Sequence, residues 1–553
     1  MNKMKTAAAK TGLWWQSATG YQIYPRSFCD SNGDGVGDIP GIISKLDHLR
    51  DLGIGFIWLS PVYTSPMADN GYDISDYRNI APEFGTLEDF DRLVSEAKAR
   101  GIRIVMDLVV NHSSSEHHWF QAALASRSAP EYDFYIWRDA AADGGPPNDD
   151  QASFGGPAWN WVPEVGKYYL GIFSPEQPDL NWQNPALRAE IYEMMNWWLD
   201  RGIGGFRMDV ISLIGKDIDA GIYEEGPYLH EFIQEMHRET LAGRDVLTVG
   251  ESWSVSPETA LLYCGRDRGE LDMLFQFNHV TAFQDEVDSK WKPKPFDLKR
   301  FKSVFATWQE VMAEDGWNSL FLSNHDLPRQ VSKYGDDKTF RVASAKMLAT
   351  IIHLMKGTPF IYQGEEIGMT NVKFGRIEQF RDVETLGHYV KRVAAGMTPE
   401  AFIAGANING RDNARTPMQW TAEAQAGFTT GTPWIEVNPN HDEINVATDR
   451  GDPNGIFENY RKLIELRRDL PIIVYGSYLS FAEDDPAVFA YLRELEGQRL
   501  AVVANFTAAP VEFDVPQALA TDGVCLIAND APRTALSGRI TLKPYEAFAI
   551  LQI

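Results

Sequence analysis

Along the chain, short runs of β-branched and aromatic residues alternate with stretches whose apolar positions recur at helical spacing. Runs over 21–28 (YQIYPRSF), 56–62 (FIWLSPV), 102–110 (IRIVMDLVV) and 202–210 (GIGGFRMDV) predict strands, as do 245–252, 273–279, 319–326 and 357–366. Several are apolar throughout instead of alternating, the pattern of parallel strands covered on both faces. Eight strand-plus-helix units predict an α/β chain built on a (β/α)8 TIM barrel. One intervening helix is marked at both ends. Asn184 suits its cap, Pro185 its first turn, and Gly202 lies just past its end. Leu187, Ile191, Met194, Trp198 and Leu199 then share one face and predict core packing.

The connection after the third strand is far longer than its neighbours and rich in Gly, Pro, Asp, Trp and Tyr (DGGPPNDDQASFGGPAWNW). It predicts a subdomain, residues 113–183, inserted over the C-terminal face of the barrel, where active sites of this fold lie. The barrel itself takes 1–112 and 184–473. From 474 to 553 the pattern changes to short strands such as AVFAYLREL, RLAVVANF and FAILQI, which predict a separate C-terminal antiparallel β-sandwich.

Composition narrows the classes of function. The 553 residues are 44% hydrophobic and 23% charged, ordinary for a globular chain. The net charge of −26 disfavours nucleic acid and anionic membranes, whose binding rests on Lys and Arg. Cys29, Cys264 and Cys525 are odd in number and far apart, which suits a reducing compartment. The start, MNKMKTAAAKTGLWW, does not read as a signal peptide, and no stretch approaches the ~20 apolar residues of a membrane span. A cytoplasmic, monomeric protein is expected.

Polar residues collect at the predicted C-terminal strand ends. Strand three ends in Asp107, Asn111 and His112, strand four in Arg207 and Asp209, strand five in Glu251, and strand seven in Asn324, His325 and Asp326. Three carboxylates, Asp209, Glu251 and Asp326, therefore converge on one mouth, as an ion-pair network with Arg207 or as catalytic groups. Two carboxyls of unequal pKa are the apparatus of glycosidic cleavage. Arg207, on the same face as Asp209, is expected to keep that carboxylate ionised. Glu251, flanked by Trp253, is expected in a partly apolar setting that raises its pKa, as an acid requires.

The segments QIYPRSF, DLVVNHSS, GFRMDV, VGESW and FLSNHD, in that order, resemble the strand-end segments of glycoside hydrolase family 13, the α-amylase family. QPDLNW, DNGYDISDY and RDNARTPMQW resemble its oligo-1,6-glucosidase and dextran glucosidase branch. The resemblance implies Asp209 as nucleophile, Glu251 as general acid/base and Asp326 as transition-state stabiliser, with retention of configuration. It implies sugar contacts from His112, Arg207 and His325, and an Asp69–Arg411 pair gripping the non-reducing-end sugar of small α-glucosides. Arg415 is a neighbour whose role the sequence does not separate from that of Arg411. Tyr72 is expected as a stacking platform, and Phe154, Phe173 and Gln177 as pocket wall, although single aromatics also serve plain packing.

Val210 is typical of α-1,6-cleaving relatives, and Trp253, Lys290 and Glu384 match residues around the second sugar; the last two also read as surface charges. The sucrose isomerases, close relatives, carry an RLDRD loop that residues 277–296 lack, which favours water as acceptor. Alternatives are a sucrose isomerase, an α-1,4-specific glucosidase, or a non-catalytic binding protein on the same barrel. No organic cofactor is implied. Asp30, Asn32, Asp34, Val36 and Asp38 are spaced like a calcium loop, or form a tight metal-free Asp/Gly turn. His117 and His118 lack zinc-ligand spacing and are expected at the surface.

Overall fold

The computed structural model describes residues 12–552; the N-terminal stretch read above for a leader falls largely outside them. All eight predicted strands are present: β1 Gly20–Ile23, β2 Phe56–Leu59, β3 Arg103–Leu108, β4 Gly205–Met208, β5 Leu247–Ser252, β6 Met273–Gln276, β7 Ser319–Leu320 and β8 Thr358–Tyr362. They pair in parallel in the order β6-β5-β4-β3-β2-β1-β8-β7. A further parallel bridge, Leu274 with Asn318, joins β6 to the start of β7 and closes the ring.

The strands are shorter than their apolar runs, and the reasons are local. Pro25 opens a 3-10 turn after β1. Strand β4 begins only at Gly205 because Gly202, at φ 91°, still belongs to the end of the preceding helix. The last residues of each run leave the ladder to become the rim of the barrel, and the rim carries the polar groups.

Helix α1, Pro185–Asp200, has the expected cap: Asn184 accepts the Ala186 N–H at 2.9 Å. Its stripe of Leu187, Ile191, Met194, Trp198 and Leu199 is buried. The Trp198 indole also donates to the Tyr77 carbonyl at 2.8 Å, so the largest side chain of the stripe is satisfied as well as packed.

Within 113–183 lie the helix His118–Ala125 and a three-stranded antiparallel sheet of Trp137–Arg138, Lys167–Leu170 and Trp159–Val162. His118 is exposed, but His117 is buried, correcting the surface expectation. Its Nδ1 accepts the Trp119 N–H and caps that helix. A histidine pair read only for metal spacing misses this capping role.

After residue 476, β9 Ser477–Phe481, β10 Val488–Leu495, β11 Gln498–Asn505, β13 Val524–Ala528 and β15 Ala547–Gln552 form a five-stranded antiparallel sheet. The pair β12 Val511–Asp514 and β14 Arg539–Leu542 covers one face, where Phe513 and Leu542 meet Val503 and Phe548. The other face packs on the barrel. Tyr491 donates to the Ile351 carbonyl at 2.8 Å, and buried Arg493 donates to the carbonyls of Leu354, Ile473 and Gly476. The domain is thus docked along one whole face instead of standing apart. No helix among the described residues is long and apolar enough to cross a membrane.

Trp198→Ala is expected to cost about 3–5 kcal/mol, the range for emptying a large aromatic site. Leu386→Ala, at an exposed position, is expected to leave stability unchanged. Calorimetric melting of both variants checks the contrast.

Candidate active site

At the C-terminal mouth of the barrel lies a cavity of about 520 Å³, of a size that suits a small ligand. Asp209, Glu251 and Asp326 line it together with Asp69, Tyr72, His112, Phe154, Phe173, Val210, Trp253, Lys290, His325, Glu384 and Arg411. Of the predicted sugar-site residues, only Arg207 and Gln177 do not line it. Both lie directly behind the lining.

Arg207 is the base of the site. Its Nη1 donates to Asp107 at 2.7 Å and to Asp209 at 2.9 Å, and its Nη2 donates to Glu251. Asp107 also accepts from the Trp58 indole at 3.0 Å and the Tyr72 hydroxyl at 2.9 Å. The guanidinium sits over the Trp58 ring at 4.8 Å. One buried cation therefore serves three carboxylates from three strands.

This arrangement corrects two electrostatic expectations. Burial pushes the Asp209 carboxyl well above the ordinary carboxylate range; Arg207 pulls it down, but Glu251 and Asp107 push it up again. Glu251, expected in a partly apolar setting, instead accepts three donors: Arg207, the Val210 N–H at 3.2 Å and the Trp253 indole at 3.1 Å. Trp253 turns its one polar atom on the carboxylate while its ring lies flat on Phe277 at 3.7 Å. Asp209 and Glu251 thus accept from the two ends of one guanidinium, Asp209 from Nη1 and Glu251 from Nη2.

Asp326 is different. Against the upward push of burial, Arg411 and Arg415 hold it well below the ordinary carboxylate range. Burial in turn lowers His325 to about 3, so this imidazole is neutral, with the Gln22 amide 2.8 Å from its Nδ1. Tyr72 stacks on His325 with centroids 5.1 Å apart. One ring of the expected sugar platform is thereby braced from behind. His112 is likewise pushed down to about 3 by burial, and it lies 3.0 Å from the Tyr72 carbonyl through Nε2.

The structure separates the two arginines. Arg411 reaches into the cavity, pairing with Asp69 at 3.0 Å and Asp326 at 3.2 Å. Arg415 is buried behind it, bonding Asp326 at 2.9 Å and the His325 carbonyl at 3.0 Å. Both meet Asp382, which sequence reasoning missed: it accepts from Arg411 at 2.5 Å and Arg415 at 3.5 Å. Asp382 also caps helix α2, Val383–Ala394. Its one legible signal was that cap position, because the arginines follow some thirty residues later. Asp69 is raised to about 6 by burial, with Arg411 opposing the rise. Gln177 donates to it at 3.3 Å.

The inner wall is closed by a seam. Phe154 lies under the Arg411 guanidinium at 4.9 Å and beside Phe173 at 5.6 Å. The Ser153 carbonyl and His388 Nε2 are 2.9 Å apart. Gly387 approaches so closely that an added Cβ would stand 1.9 Å from the Phe154 carbonyl oxygen. On the outer side, Lys290 pairs with Glu384 at 2.5 Å, so neither is a loose surface charge.

The loop 30–38 lies outside the cavity lining. Asp30, Asn32 and Asp34 each fold back on the N–H two residues ahead, at 2.9, 2.8 and 2.8 Å, while Asp38 caps a helix through the Gly41 N–H. Among the described residues no three His, Cys, Asp or Glu side chains gather as a metal set. The loop offers only hard oxygens, including the Asn32 amide and backbone carbonyls, and that donor chemistry fits calcium.

Residues 22–476 match the family described as alpha amylase, catalytic domain, and 479–549 match maltogenic amylase, C-terminal domain. The chain belongs to the α-amylase family. This family member is a glycoside hydrolase, and its TIM barrel and C-terminal sheet domain are those of its relatives. It is 55% identical to a palatinase of Erwinia rhapontici over 97% of this chain and 98% of that protein. It is 51% identical to an oligo-1,6-glucosidase of Halalkalibacterium halodurans, with the same coverage. The isomaltulose synthase of Klebsiella sp. LX3 superposes with a TM-score of 0.95 at 41% identity, covering 98% of this chain and 100% of that one.

Asp382→Ala leaves two buried arginines short of an anion and is expected to cost about 3–5 kcal/mol, with a loss of kcat/KM. Asp382 and Asp326 have carboxyls held low in the fold. Their stabilisation is present above the unfolded carboxylate value of about 4 and is lost as pH falls below it. Melting temperature should therefore fall on acidification, and less steeply in Asp382→Asn.

Proposed function

We propose that the protein is a retaining, exo-acting α-glucosidase that hydrolyses α-1,6 bonds at the non-reducing end of isomaltose, isomaltulose-type disaccharides and short isomalto-oligosaccharides. The observation that carries this reading is that Asp209 and Glu251, side by side at the barrel mouth, both accept from the Arg207 guanidinium, Asp209 at 2.9 Å. A retaining pair sits about 5–5.5 Å apart, whereas an inverting pair stands farther apart to lodge a water.

In the first step Asp209 attacks the anomeric carbon, the glycosidic C–O bond breaks, and Glu251 gives its proton to the leaving oxygen. This needs a proton on Glu251 and the charge on Asp209, opposite Arg207. The glucosyl–Asp209 ester is then cut by water, whose proton returns to Glu251. Asp326, held anionic by its two arginines, faces the oxocarbenium-like charge of both transition states. The Asp69–Arg411 pair and Phe154 on the cavity wall support removal of one glucose at a time.

Linkage preference is supported by the Val210 side chain on the cavity wall and by the palatinase and oligo-1,6-glucosidase relatives. Hydrolysis over isomerisation is supported by the missing RLDRD loop in 277–296. A cytoplasmic, single-chain state belongs to the same proposal, supported by three unpaired cysteines. Calcium in the loop 30–38 is proposed as a structural ion, held by Asp30, Asn32, Asp34, Asp38 and the Val36 carbonyl and remote from the chemistry.

Isomaltose and isomaltulose should show higher kcat/KM than maltose, and sucrose should give no isomaltulose; a preference for maltose overturns the linkage assignment. Proton NMR should show α-glucose as the first product. Asp209→Ala should lose about 10⁴-fold or more in kcat, and full activity would remove the nucleophile. Calcium should raise the melting temperature after chelation, and Asp34→Ala should abolish that rise. An identical melt with and without calcium removes the metal.

A further inference from the structure

Val210 combines two features that ordinarily exclude each other. Its backbone is left-handed, at φ 36° and ψ 44°, where a β-branched side chain crowds its own peptide. Among the described residues it is the one β-branched residue with positive φ. It follows Asp209 directly, and the Asp209 N–H still bonds the Leu108 carbonyl at 3.0 Å as a continuation of the β3–β4 ladder. The left-handed residue then turns the chain sharply. The Val210 carbonyl takes the Leu213 N–H at 3.0 Å, and the Val210 N–H donates to Glu251 Oε2 at 3.2 Å. Strain of this kind persists where the surroundings over-determine it, and it clusters at working sites.

We propose that Val210 is a positioning residue, whose strained backbone aims its amide N–H at Glu251 and fixes that carboxylate toward the leaving oxygen. The side chain meanwhile lines the acceptor side of the cavity. The two demands explain why valine occupies a position whose backbone suits glycine. Glycine takes the turn without strain but leaves no branched wall, and a relaxed valine turns the N–H away. The proposal rests on the reading of Glu251 as acid/base. The charged and titratable groups around Glu251 are Arg207 and Asp209 from β4, Asp107 from β3 across Arg207, and His325 and Asp326 after β7. None of these lies on the segment that turns at Val210 except Asp209, its immediate neighbour.

The test replaces the Val210 amide by an ester, through cell-free incorporation of the corresponding hydroxy acid; this removes the N–H and keeps the side chain. A carboxylate that loses an N–H donor holds its proton more tightly. The alkaline limb of the kcat/KM profile on isomaltose should therefore move to higher pH, with a loss of about tenfold in kcat/KM. The ratio of isomaltose to maltose cleavage should stay as in the wild type. Val210→Gly, which keeps the N–H, should show the reverse: the alkaline limb in place and the linkage ratio reduced. An ester variant with the wild-type limb and kcat/KM overturns the proposal, as does a Val210→Gly limb displaced like that of the ester. If the ester variant does not fold, the position of the Val210→Gly limb decides alone. Glu251→Gln separates the two levels: loss of activity there with an unmoved ester limb removes only the role of Val210, whereas retained activity removes the acid/base assignment itself.

Discussion

Three carboxylates cannot share a dry barrel mouth without a cation among them, and the guanidinium of Arg207 is that cation. Its planar fork reaches Asp107, Asp209 and Glu251 at once, which a lysine's single ammonium does not do. Desolvation of isolated buried anions is costly, so the site exists only as a set. The parallel register of β3, β4 and β5 sets Asp107 level with Arg207 and Gly250 level with Met208, so that Glu251 and Asp209 follow side by side above the guanidinium. The Trp58 face beneath the guanidinium holds the fork against sideways movement. Fold and chemistry meet in this one side chain.

A second charge layer lies across the cavity, built the other way round. There two arginines, Arg411 and Arg415, surround the acids Asp326, Asp382 and Asp69. Around Arg207 three acids share one cation, and burial with the neighbouring acids pushes the Asp209 carboxyl up. An ample supply of positive charge keeps Asp326 ionised. On the proposed mechanism, that difference in environment suits one pair to bond making and proton transfer and one carboxylate to fixed electrostatics, from three chemically similar groups.

Much of this was legible beforehand, because apolar runs of strand length flanked by rim acids are a local signal. The eight strands, the capped helix α1 and the three converging carboxylates all follow from segments of ten residues or so. The strand ends were less readable, since Pro25 and the left-handed Val210 cut the ladder short without changing the hydrophobic pattern. Asp382 was hidden for another reason. Its partners lie far along the chain, and a buried ion pair leaves no periodic trace. The surroundings of Asp209 and Glu251 were misjudged because they bring Val210, Trp253 and Asp107 together, at distances that only the folded barrel sets. His117 was misread since capping requires knowledge of where its helix begins.

The seam between the inserted subdomain and α2 bears on how turnover is ordered. With Gly387 pressed against Phe154 and the Asp69–Arg411 pair beyond, the inner end of the cavity is a cul-de-sac. On the proposed mechanism, the released aglycone and the incoming water then use the same doorway, one after the other. On that same mechanism, a second sugar that lingers on the threshold beside Lys290 and Trp253 stands where water has to arrive, and the shape of the vestibule sets hydrolysis against sugar-to-sugar transfer.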